Sequence, residues 1–267
     1  MPGDALTWLT YAGLGAVVGF LSGLLGIGGG AVIVPTLGLV FVAFGFAPDH
    51  VMHLALGTSL AAIVVATASG AREHHAHGAV RLDIVRGVAP GVVAAGLAAG
   101  AVARVASVAF LKYFFLAFML YVTAHILFGR PPAKSRPMPG GPGLFGVGAL
   151  IGGFSGLAGV GGAMISVPFM TTWGVPFKSA IGTSAAIGSV VAIAGTAGYV
   201  AAGLTEPSLP DWTLGYVYLP ALVGISLTSA LTAPLGARLA HRLPVGHLKK
   251  AFALFLLALA VKLIVSL

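Results

Sequence analysis

Apolar stretches long enough to cross a bilayer follow one another from Leu6 almost to Leu267, and no other feature leaves the chain so few architectures. Counting shorter ones as well, ten apolar elements can be drawn, roughly Leu6–Leu25, Ala31–Phe46, Val51–Ser69, Ile84–Ala103, Phe110–Phe128, Leu144–Ala158, Ala163–Trp173, Ser179–Ala202, Leu214–Leu235 and Leu248–Leu267. A spanning helix takes ~20 residues. Charged residues are 7% of the chain, against about 25% in a soluble globular domain. The expected fold is therefore all-α, a polytopic membrane protein with no soluble domain left over. The N-terminus has no basic region before its first apolar run, so the first helix is expected to stay in the mature protein.

The chain is internally duplicated. Ser22 opens the phrase Ser-Gly-Leu-Leu-Gly-Ile-Gly-Gly-Gly, and Ser155, 133 residues later, opens Ser-Gly-Leu-Ala-Gly-Val-Gly-Gly-Ala. Each phrase runs on to a Val-Pro pair, Val34-Pro35 and Val167-Pro168. Gly57-Thr58-Ser59 is matched by Gly182-Thr183-Ser184, and Leu111-Lys112 by Leu248-Lys249. Between the copies lies Gly129–Pro142, with five prolines and three basic residues, which reads as an exposed linker. The expected organisation is a first membrane repeat over 1–129, a linker over 130–142 and a second repeat over 143–267.

Basic residues set the expected orientation, because they favour the cytoplasmic side. With a cytoplasmic linker and an odd number of crossings per half, 11 of the 14 basic residues fall inside, leaving Arg104, Lys112 and Lys262 outside. Collapsing each glycine hairpin into one crossing would turn the loop bearing Arg238, Arg242, Lys249 and Lys250 outward. Two inverted repeats follow, each a glycine-broken helical hairpin plus three further spans, with both termini outside. Elements two, six and seven are short for a full crossing and are expected as half-helices. The net charge of +8 reads as topology and contact with anionic lipid, not as nucleic-acid binding.

A glycine break inside hydrocarbon is tolerable only where protein buries it or it lines a wet cavity. Gly26, Gly28, Gly29 and Gly30, with Gly159, Gly161 and Gly162, would let backbone N–H groups approach a ligand at the positive end of the helix that follows. Such a pair of breaks is an anion cradle of neutral residues. The competing reading is close helix packing by small residues. A nucleotide loop is excluded by the absence of a preceding strand and of the Lys or acidic partner it needs.

Thr58, Ser59, Thr183 and Ser184 offer hydroxyls for an oxyanion, as do Ser22 and Ser155; hydroxyls in membrane helices also bond their own backbone. His53 and Lys178 precede the triplets by one helical turn; His53 is retained as a candidate substrate contact, and Lys178 reads as the edge of a helix. His125 reads equally as interfacial. Glu73-His-His-Ala-His77 reads as a solvated loop in preference to a metal site. No Asp or Glu lies well inside an apolar element, which argues against a carboxylate proton relay. Zero cysteines exclude disulfides and thiolate chemistry. No metal, cofactor or nucleic acid is expected; the partners are a small anion and membrane lipid.

The extended phrase from Gly19, its partner from Gly152, Pro35, Pro168 and both Gly-Thr-Ser triplets resemble the TauE/SafE sulfite exporter family, also called the toluene sulfonate uptake permeases. The resemblance covers nearly the whole chain. It implies an inner-membrane permease for sulfite, sulfonates or related sulfur-containing organic anions, in either direction, and not an enzyme. An anion channel is the nearest alternative and an intramembrane enzyme a weaker one. The second phrase departs from the first in carrying Ala163 where the first has Gly30.

Overall fold

The computed structural model describes residues 5–25, 29–128 and 137–240, with 257, 258 and 261. Gly26 and Gly28 of the first break lie outside these residues, as do most of the linker and of the tenth apolar stretch. The elements run α1 (Ala5–Leu25), α2 (Gly30–Ala43), α3 (Pro48–Ala76), α4 (Leu82–Val105), α5 (Val108–Phe128), α6 (Gly141–Ala158), α7 (Ala163–Thr172), α8 (Phe177–Gly203), β1 (Thr213–Leu214), β2 (Val217–Tyr218) and α9 (Leu219–Ala240). Among the described residues seven helices are long and apolar enough to cross a membrane, so the chain is an all-α, multi-pass membrane protein. The remaining two, α2 and α7, are about 21 and 15 Å long at 1.5 Å per residue, short of the ~30 Å hydrocarbon core.

Three elements differ from the expectation. The sixth is not short: α6 starts at Gly141 and has 18 residues. Pro142 sits in its first turn, where a missing N–H removes no helical bond. The third element runs on through Glu73 to Ala76, so the His-rich segment ends a helix instead of forming a loop. The ninth begins at Leu219, because the residues before it form an antiparallel hairpin, Thr213 opposite Tyr218 and Leu214 opposite Val217. Gly215, in the two-residue loop with φ +54°, makes that turn possible.

At the centre α3 is the most deeply buried span and α8 the next. They run antiparallel. Gly57, near the start of α3, lies against Tyr199, near the end of α8; Gly182, near the start of α8, lies against Ala79, just past the end of α3.

The outer helices pair crosswise. Gly15 and Gly19 of α1 lie on the backbone of α9 at Ile225 and Ser229, while Gly148 and Gly152 of α6 lie on the backbone of α4 at Val88 and Val92. A Cβ on Gly19 would come within 2.5 Å of Ser229 Cα, and one on Gly152 within 2.5 Å of Val92 O. Small residues four apart let helices approach this closely where apolar burial alone gives no drive to associate in lipid. The outward faces carry Leu6, Leu9, Val93, Leu97, Leu150, Phe154, Leu227 and Leu231, an apolar girdle suited to acyl chains.

Charges collect at the two ends of the bundle. At one end Arg238 Nε is 3.3 Å from Glu73 Oε1, and Arg81 pairs with Asp83 at 2.6 Å. Hydrogen bonding and the charge of Asp83 hold the Arg81 guanidinium above its ordinary range. At the opposite end His50, at the start of α3, bonds Ser208 Oγ at 2.9 Å, and Ser208 donates to Glu206 at 2.8 Å.

Candidate functional site

The second glycine phrase folds as a helix stop followed at once by a helix start. Gly159, at φ +66°, ends α6 in a Schellman motif, its N–H bonding Gly156 O and that of Val160 bonding Ser155 O at 3.0 Å. Gly162, at φ +75°, then caps α7. Gly29 caps α2 at φ +65°, so the matching positions share one left-handed conformation. The carbonyl of each cap accepts two amides of the helix it opens, from Val32 and Ile33 at Gly29 and from Ile165 and Ser166 at Gly162. The amides of Gly30 and Ala31, and of Ala163 and Met164, are left without an intrahelical acceptor.

The two breaks meet. A Cβ on Gly30 would collide with Gly159 O and come within 2.8 Å of Val160 Cα. Only a residue without a side chain allows the start of α2 to rest on the backbone of the opposite break. Ser59 of α3 completes the junction by donating its hydroxyl to Gly159 O at 2.7 Å. Gly161 O faces Gly188 of α8, 2.5 Å from where a Cβ would stand. Gly29, Gly30, Gly159, Gly161 and Gly162 are all buried.

The Gly-Thr-Ser triplets do something the sequence did not reveal. Gly57 lies under the backbone of Tyr216, and Thr58 Oγ1 accepts the N–H of Tyr218 at 2.9 Å. Gly182 lies under the backbone of Ala79, and Thr183 Oγ1 accepts the N–H of Arg81 at 2.9 Å. Each triplet thus holds a loop contributed by the other half, the glycine by close approach and the threonine by a hydrogen bond two residues on. Ser184 donates to Ile181 O in its own helix. Thr58 and Thr183 accept in these bonds and keep their own protons, whereas Ser59 and Ser184 spend theirs on carbonyls.

His53 and Lys178 are not equivalent. His53 is buried, and since Ala103 O can only accept, its Nε2 donates there at 2.9 Å; the ring lies 5.0 Å from that of Tyr216. Lys178 is exposed at the edge of α8. Ser22 is buried on α1 and Ser155 on α6. Glu73 is engaged by Arg238, and among the described residues no group of three or more His, Asp or Glu is arranged to hold a metal ion.

Sequence reasoning missed Ser166, fully buried in α7, and the hairpin that Thr58 holds. For the hairpin a signal existed, since Thr213-Leu-Gly-Tyr-Val-Tyr218 sets a glycine between β-favouring residues. For Ser166 there was none, because the matching position of the first phrase is Ile33.

The Ser59 contact carries a direct prediction. Ser59→Ala leaves Gly159 O buried without a donor and is expected to cost about 1–3 kcal/mol. Thermal unfolding of the purified protein in detergent reads it; an unchanged midpoint would mean that the bond contributes nothing.

Comparisons with known proteins cover nearly the whole chain. A family model described as "Sulfite exporter TauE/SafE" matches residues 11–263. A probable membrane transporter protein of Haemophilus influenzae is 38% identical over 256 residues, covering 94% of this chain and 95% of its own. Probable membrane transporter proteins of Methanocaldococcus jannaschii and Bacillus subtilis are each 26% identical, covering 88% and 89% of this chain and 87% and 92% of their own. No solved structure matches the chain. By the extent of the family match, the chain belongs to the sulfite exporter TauE/SafE family.

Proposed function

We propose that the protein is a permease that carries sulfite, sulfonates or related sulfur-containing organic anions across the cell inner membrane by alternating access between two inverted halves. The observation that carries this reading is the contact between the breaks, Gly30 of one half seated on Gly159 and Val160 of the other. In transporters built from inverted repeats, the substrate site lies where interrupted helices of the two repeats meet. The antiparallel course of α3 and α8 supports inversion, and the matched crosswise pairs, α1 with α9 and α6 with α4, support a duplicated architecture.

The seat is formed by the breaks themselves, with Gly29, Gly161 and Gly162 offering neutral donors around the N-termini of α2 and α7, where the helix dipole favours negative charge, and Ser22 a hydroxyl from the last turn of α1. Gly26 and Ser155 complete the two phrases. The triplets serve as walls and latches: Thr58 holds a loop at one end of the bundle and Thr183 a loop at the other. Releasing one latch while the other stays closed is the elementary event of alternating access.

Purified protein reconstituted into liposomes tests this. At least one of sulfite, taurine, sulfoacetate and an aromatic sulfonate is expected to show saturable flux and to raise the apparent unfolding temperature. A ligand at 100 times its Kd adds about 2.7 kcal/mol to apparent stability. Flux that does not saturate and carries single-channel current would make it a channel, and a chemically altered product an enzyme. No response to any of the four would overturn the reading.

A further inference from the structure

We propose that the turn of the second hairpin is the principal anion seat and that Ser166, together with Ser155, is a substrate-binding residue that takes the oxygens of a small oxyanion. This rests on the transport reading above and narrows it to one of the two breaks.

Both hydroxyls are fully buried, and neither makes a hydrogen bond. A serine or threonine in a helix ordinarily escapes that situation by donating to a carbonyl three or four residues back. Ser184, Ser189 and Thr196 of α8 do so here, at 2.7, 3.2 and 2.6 Å. Ser155 and Ser166 do not, although a buried hydroxyl without a partner is rare enough in native proteins to need a reason.

Their position supplies one. Ser155 Oγ stands 3.5 Å from where a Cβ on Gly162 would be, so it is aimed at the residue that caps α7. Ser166 lies one turn further along, its N–H bonded to Gly162 O at 3.0 Å. One free hydroxyl thus faces a helix N-terminus whose first amides have no intrahelical acceptor, and a second is carried by the residue one turn into that helix. Hydroxyl donors, amide donors and the positive end of a helix all favour the same class of ligand, an anion rich in acceptor oxygens. The first hairpin lacks this set. Ile33 fills the place of Ser166 and is itself fully buried, and Gly30 abuts a carbonyl, which offers an anion nothing.

The test uses the full chain in liposomes, with sodium sulfite as probe, and compares the wild type with Ser155→Ala and Ser166→Ala. Each variant is expected to raise KM for sulfite about tenfold, the factor that corresponds to 1.4 kcal/mol, with kcat nearly unchanged, the pattern of lost uniform binding. The stabilisation by sulfite should shrink in parallel. Without sulfite, both variants should unfold at or above the wild-type temperature, because each removes a buried hydroxyl that bonds nothing in the protein.

Wild-type KM and full sulfite stabilisation in both alanine variants would overturn the assignment. So would a drop in their ligand-free stability, which marks a structural role. A wild-type protein that neither moves sulfite nor is stabilised by it would reject sulfite transport itself, and the seat with it; the wild type therefore tests the reading, and the variants test the inference.

Discussion

Gly30→Ala is expected to abolish flux and to lower the unfolding midpoint sharply, whereas Gly13→Ala and Gly70→Ala should be neutral or stabilising. The contrast isolates space from conformation. None of the three glycines has a positive φ, and alanine is the better helix former by about 1 kcal/mol. A Cβ at Gly13 or Gly70 meets nothing within 4 Å. At Gly30 it meets the backbone of Gly159 and Val160, which has no rotamer to yield. Overpacking a well-filled interior costs about 1–3 kcal/mol when side chains can adjust, and a collision with main chain belongs at or above the upper limit. Flux in liposomes and thermal unfolding in detergent check it, and a Gly30→Ala protein with wild-type values for both would mean that the two breaks do not need to touch. Gly29 and Gly162 are poorer probes of a ligand, because their left-handed backbones strain any side chain before a substrate is considered.

The second large effect concerns the latches. Thr58→Val removes the acceptor for the Tyr218 N–H inside a fully buried contact, and is expected to cost about 1–3 kcal/mol. Thr183→Val removes the acceptor for the Arg81 N–H, which is only partly buried and has water as a substitute, so its cost should stay below about 1 kcal/mol. The chain has no cysteine, so a single one introduced at Val217, 2% exposed in the hairpin, reports opening alone. In the Thr58→Val background its labelling by a thiol reagent should accelerate about tenfold for each 1.4 kcal/mol of latch lost, while Thr183→Val leaves it unchanged. Equal labelling in both backgrounds would dissociate Thr58 from that end of the molecule.

Most of the architecture was legible because lipid leaves a chain little choice. The apolar stretches, the glycine phrases and the short α2 and α7 could be drawn from residues alone, since length and a missing side chain act locally. The triplets were not legible in the same way. Gly57 and Thr58 are explained by Tyr216 and Tyr218, some 160 residues away, and nothing in Gly-Thr-Ser says whether its hydroxyls meet a ligand, their own helix or another loop. Ser166 shows the limit of reasoning by duplication, which draws the eye to what the copies share. The two phrases share four glycines and differ at Ser166, where the unpartnered hydroxyl lies. At α6, by contrast, Gly141-Pro142 closes the stretch that reads as an exposed linker, although in a first turn it is compatible with helix.

The crosswise pairing also has a consequence for biogenesis. When the first half has left the ribosome, the glycine-lined faces of α1 and α4 have only lipid for company, because the surfaces of α9 and α6 that complete them have not yet been made. Their glycine grooves must wait, open to acyl chains, until translation ends, and neither half expressed by itself has its partners. Separately encoded fragments should therefore be degraded when made singly and recovered when made together.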